Sequence, residues 1–137
     1  MLGLYLTGII VPLLLALGLA ALVGNELKRF VIEVPELRTA EHLRRFKGMV
    51  ARNMYAALGQ IILFIIPWVC YFVGITRQVL VGGEVLIILV LSVANFIVGQ
   101  RLKKTEDAVR ALPVDEELKA ERDRVVKTWE KKPFPDW

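Results

Sequence analysis

No Asp, Glu, Lys, Arg or His occurs in residues 1–25 (MLGLYLTGIIVPLLLALGLAALVGN), although charged residues make up 23% of this 137-residue chain. At about 1.5 Å of rise per residue, roughly 20 helical residues cross a hydrocarbon core of about 30 Å, so the run is long enough to span a membrane. A cleaved signal peptide needs a basic region ahead of its apolar stretch. Here Met1 is followed directly by Leu2 and Gly3, and the run reads as a retained transmembrane helix. Pro12 removes a backbone donor in mid-span, which predicts a kink.

Two further runs have the same character. Residues 53–76 (NMYAALGQIILFIIPWVCYFVGIT) are uncharged, and Trp68, Tyr71 and Phe72 gather towards the end that leads to Arg77, as interfacial aromatics do. Residues 85–100 (VLIILVLSVANFIVGQ) give only about 24 Å of helix, slightly short for the same core, so the third span is expected to borrow Val79 to Gly83 from the turn at 77–84. With 55% hydrophobic residues and a mean hydropathy of +0.52, the composition is that of an all-α integral membrane protein with three transmembrane helices.

Orientation follows from the basic residues in the connections. Segment 26–52 holds seven Lys/Arg, the turn at 77–84 only Arg77, and the tail at 101–137 holds ten. Positive loops stay cytoplasmic, which predicts an outside N-terminus and an inside C-terminus. In segment 26–52, Pro35 breaks the helix and Thr39 is a good N-cap. Beyond it Leu43, Phe46, Val50 and Met54 recur at helical spacing, opposite Arg44, Arg45 and Lys47. This cytoplasmic amphipathic helix either lies in the headgroup layer or extends the second span. Lys28, Arg29, Arg44, Arg45 and Lys47 are the candidate contacts of segment 26–52 with anionic phospholipids.

The tail continues the third helix to about Leu112, where Pro113 stops it. A second cytoplasmic helix then opens on Asp115, Glu116 and Glu117 and closes on Lys127, Lys131 and Lys132, the charge order that suits the helix dipole. Its stripe of Leu118, Arg122, Val125 and Trp129 needs a surface to cover it, inside the chain or outside. The closing KKPFPDW cannot be helical beyond Pro133. Trp129, Phe134 and Trp137 are the candidate partner-docking residues, because aromatic side chains anchor interfaces at low entropic cost.

Within the spans, Thr7, Gln60, Ser92 and Asn95 are polar. Ser92 and Asn95 lie three apart and can face one neighbouring helix, and Gln60 can bond across helices from the second span. Ala16, Ala20 and Gly24 repeat every fourth residue as a small-residue packing face. Glu84 is the one carboxyl near a span that could line an ion path, a role it would have only at depth. Cys70 reads as a packed apolar residue, and the single His42 lies outside the spans, so neither a redox cofactor nor a four-ligand zinc site is expected. No phosphate-binding loop, nucleophile–base pair, metal spacing or internal repeat occurs, so no catalytic residue is assigned. The pI of 9.4 arises from basic residues beside spans, where the inner leaflet rather than nucleic acid is the nearer partner.

This order of outer terminus, span, cytoplasmic segment, hairpin of two spans and cytoplasmic tail is similar to that of the TolQ- and MotA-like energy-transducing proteins. The similarity is one of topology and carries over no residues. Those families have a larger cytoplasmic domain than segment 26–52 and different polar residues from the Ser92/Asn95 pair. Together these features point to a non-catalytic accessory subunit of a larger membrane complex, bacterial and of the energy-transducing kind, with other membrane subunits as partners in a hetero-oligomer. The alternative is a small homo-oligomeric transporter or channel component using Glu84.

Overall fold

A computed structural model describes residues 1–137 as four helices: α1 (Leu2–Glu33), α2 (Ala40–Thr76), α3 (Val85–Arg110) and α4 (Glu116–Lys131). The first three are long and apolar enough to cross a membrane. Each outruns its apolar stretch at the Lys/Arg-rich end. The 37 residues of α2 correspond to about 55 Å of helix, far more than a hydrocarbon core requires.

α1 passes through Pro12 without a break and ends just before Pro35, where the residue preceding proline is driven out of helical conformation. Thr39 caps α2, its side-chain oxygen accepting from the His42 amide at 3.2 Å. From there α2 continues unbroken into the second span, so the amphipathic stretch is an extension of that span. Leu43, Phe46, Val50 and Met54 are all buried inside the chain, which leaves that apolar stripe none of its surface for a headgroup layer.

α2 and α3 both pack along α1 and make little contact with each other, so α1 is the spine of the assembly. Two cores result. The larger lies at the basic end, where Leu27 and Phe30 of α1 and Phe46 and Met49 of α2 meet Val109 of α3 and Val125 and Trp129 of α4. The smaller lies at the opposite end, around Ile9, Leu13, Leu80 and Ile88. Between them the spans turn large side chains such as Leu15, Ile62, Phe72, Val90 and Phe96 outward. An apolar belt on a helix bundle whose backbone bonds are internal is the arrangement a bilayer demands.

The two linkers at the basic end pair with each other. The Leu37 amide donates to the Pro113 carbonyl at 2.8 Å and the Asp115 amide to the Leu37 carbonyl at 3.0 Å. This bridge fixes where α4 starts relative to α2, and no periodicity signals it.

The third span does not borrow Val79 to Gly83. The amides of Val79 and Leu80 both donate to the Gly74 carbonyl, at 2.9 and 3.1 Å, closing α2 with Gln78 at a φ of +58°. Leu80 folds back over Gly74 and is buried, and α3 opens only at Val85. α3 instead runs on past Gln100 to Arg110, through mostly charged residues that lie beyond its apolar stretch.

Candidate functional site

The polar groups of the spans are directed at the spine. The Gln60 amide nitrogen donates to the Ala16 carbonyl at 3.3 Å, and that of Asn95 donates to the Leu13 carbonyl at 3.3 Å and to Leu91 of its own helix at 2.9 Å. α2 and α3 thus each place one amide against α1, about one turn apart. Ala16 and Ala20 are buried, and a Cβ on Gly24 would lie 3.8 Å from a methyl of Leu102, so the small-residue face is turned inward on the chain's own helices. Ser92 is half-buried on the same helix as Asn95.

Glu84 is at the mouth of a turn. Its carboxylate accepts from the amides of Val81 at 3.2 Å and Gly82 at 2.9 Å, and the Tyr71 hydroxyl ties the same turn by donating to the Gly82 carbonyl. The backbone N–H of Glu84 itself, then those of Val81 and Gly82, hold this carboxyl below the usual glutamate range. In accepting from these two amides the Glu84 carboxylate closes the turn between α2 and α3.

The most developed polar constellation lies where α2, α3 and α4 converge. Trp129 donates its indole N–H to the Asn53 Oδ1 at 2.9 Å, and the Asn53 amide nitrogen donates to Glu106 Oε1 at 3.3 Å. Trp129 and Asn53 are both buried. Arg110 lies one turn beyond Glu106, with its guanidinium carbon 4.3 Å from the Trp129 ring centroid and ion-pair contacts to Glu106, Asp107 and Glu130. Its Nε is buried without a hydrogen-bond partner. A cavity of about 280 Å³ opens beside the cluster, walled by Asn53, Glu106, Arg110 and Trp129 on one side and Ala57 and Ile61 of the span on the other. Burial pushes the Glu106 carboxyl above its ordinary range, and the Asn53 hydrogen bond and Arg110 offset that only in part.

Trp129, expected at a partner surface, is therefore spent inside the chain. Asn53, Glu106 and Arg110 carry only a faint signal in the sequence. Asn53 interrupts the apolar stripe that Met49, Val50 and Met54 mark on α2, and Glu106 and Arg110 stand at the i, i+4 spacing of a helical ion pair.

The remaining cations of α1, α2 and α3 divide into two sets. Arg44, Arg45, Lys47 and Arg52 are neutralised within the chain by Glu41, Glu33, Glu121 and Glu26 respectively. Lys28, Arg29, Arg101, Lys103 and Lys104 make no ion pair. Of the five cations considered for lipid, three are thus engaged with carboxylates and Lys28 and Arg29 are not.

The C-terminal end is pinned by a single side chain. Asp136 accepts from Lys132 Nζ at 3.1 Å, from Arg124 at 3.3 Å and from the Thr128 hydroxyl at 3.3 Å, and Lys132 followed by Arg124 holds its carboxyl below the usual aspartate range. The turn presents Phe134 and Trp137 outward, 56% and 36% exposed. No three His, Cys, Asp or Glu side chains converge as a metal ion requires. No protein-family model, curated protein or solved structure matches the chain.

Proposed function

We propose that this chain is a non-catalytic accessory subunit of a larger membrane complex, seated in a bacterial inner membrane with its N-terminus outside and its basic end in the cytoplasm. The observation that carries the reading is the C-terminal turn. Asp136 orders a short Pro-rich segment that contributes nothing to either core, and the aromatic side chains it holds, Phe134 and Trp137, are left in the open. Ordering an exposed aromatic pair costs conformational entropy that a partner surface recovers on binding. The spans support the same reading, because Gln60 and Asn95 are used up on α1 while the outward belt is free for lipid and neighbouring subunits. The excess of Lys/Arg at one end supports the orientation and an anionic leaflet as its surroundings. An energy-transducing host is the reading that the order of spans favours.

Purification in mild detergent through a tag at the Met1 end, with Trp137 left free, tests the proposal. Discrete larger subunits are expected at stoichiometric ratio. Phe134→Ala with Trp137→Ala should weaken that association by at least about 30-fold, the loss expected of two aromatic anchors at about 1 kcal/mol or more each. Recovery of the chain alone, as a homo-oligomer, would refute it.

A further inference from the structure

Two cavities, of about 220 and 400 Å³, run together in the groove between α1 and α3 at the basic end and share Lys28 and Thr105 as walls. No Asp or Glu lines either one. Lys28, Arg101 and Lys104 line them and make no ion pair, and Asn25 beside them makes no side-chain hydrogen bond within the chain. The contrast with the cavity between α1 and α2 is instructive. That one holds more cations, but Glu26 and Glu33 line it as well and bind Arg52 and Arg45.

The groove is also graded along its length. Ala20, Ala21 and Val98, within the apolar stretches, form its lower wall, and Gly24 keeps the floor low there. Lys28 comes two turns later, about 12 Å further along α1 at 1.5 Å per residue. Arg101 and Lys104, three apart on α3, line the other side, Arg101 in the lower cavity and Lys104 in the upper, with Lys28 common to both. Small apolar walls followed by uncompensated cations, at the end of two spans, fit one molecule with an acyl chain below and an anionic headgroup above.

We propose that the α1–α3 groove is a binding site for a single anionic phospholipid, its phosphate held by Lys28, Arg101 and Lys104 and its acyl chain lying against Ala20, Ala21 and Val98. The site does not depend on the accessory role and differs in place from the general contact of a basic surface with the leaflet. It assigns the lipid to α1 and α3, and leaves Arg44, Arg45 and Lys47 as internal ion pairs.

The test is native mass spectrometry of the full chain released from nanodiscs of equal parts phosphatidylglycerol and phosphatidylcholine. One retained phosphatidylglycerol per chain is expected, in preference to phosphatidylcholine. Lys28→Ala with Arg101→Ala should cut that retention by about fivefold for each cation removed, the change that corresponds to about 1 kcal/mol per basic side chain at an anionic surface. Arg44→Ala with Arg45→Ala, which removes the same charge elsewhere, should leave it intact. Ala21→Phe, which fills the groove and leaves every charge in place, should abolish it, with the helical circular dichroism unchanged in each variant. Equal retention of the two lipids, an equal loss in the Arg44/Arg45 variant, or displacement of the bound species by inorganic phosphate alone would overturn the proposal, the last by reassigning the groove to a free anion.

Discussion

Asn53 shows how a polar residue can organise an apolar core. It accepts from one buried group, the Trp129 indole, and donates to the half-buried Glu106 carboxylate, so three helices are joined through one side chain. Buried polar groups cost free energy when left unpaired, so the arrangement specifies which face of α4 docks as well as how firmly. Trp129→Phe keeps most of the apolar ring and removes the indole donor, leaving Asn53 Oδ1 buried without its partner. The expected cost is about 1–3 kcal/mol, read as a lower midpoint in detergent-mediated unfolding. Asn53→Ala in the Trp129→Phe background should cost less than Asn53→Ala alone, because the shared bond can be lost only once. Strict additivity in that cycle would show that the bond contributes nothing.

At the scale of elements, close approach of α1 and α2 depends on what is missing from one position. A Cβ on Gly8 would meet Cys70 Sγ at 2.6 Å and the Cys70 Cβ at 3.5 Å, so the obstacle is the sulfur alone. Gly8→Ala should therefore destabilise the bundle by about 1–3 kcal/mol through overpacking, and adding Cys70→Ala should recover most of that loss. The unfolding midpoints of the two single variants and the double variant check this. Failure of the second substitution to rescue the first would mean that the Cys70 sulfur is not the obstacle. Cys70 was legible in the sequence as a packed apolar residue, but its partner was not, because Gly8 resembles any other small residue of an apolar span. The same limit applies at Gly74 and Leu80. Glycine near a helix end suggests a turn, whereas the return of Leu80 over α2 is a tertiary event. Span number and the Thr39 cap were readable because each rests on local composition, and the bridge between Leu37 and Val114 was hidden because it joins residues far apart in the chain.

On the scale of the whole molecule, the attachment of α4 is the feature most open to pH. The stripe on α4 was legible as needing a cover, and the structure supplies that cover from the chain itself, through Val125 and Trp129 in the basic-end core. Two carboxyls at this junction shift in opposite directions. Glu121, bonded to Arg124 and to Lys47 of α2 at 2.8 and 2.6 Å, is lowered from 4.5 to about 2. A lowered folded value contributes stability that is present above pH 4.5 and disappears as pH falls towards about 2. The exposure of this pair keeps the effect modest. Glu106 is raised by burial, so its contribution has the other sign: the docked state favours the protonated acid, and stability declines as pH rises from 4.5 through the raised folded value. The junction should be firmest in mildly acidic solution, with a weaker limb on each side. With Trp68→Phe and Trp137→Phe leaving Trp129 as the sole tryptophan, its emission should be bluest in that window and shift red towards both pH 2 and neutrality. Glu121→Gln should reduce the pH dependence of the acid limb. Glu106→Gln, whose amide oxygen can still accept from Asn53, should flatten the upper limb and raise the unfolding midpoint at pH 7. If the Glu106→Gln chain keeps its upper limb, the half-buried Glu106 carboxyl is not what loosens α4.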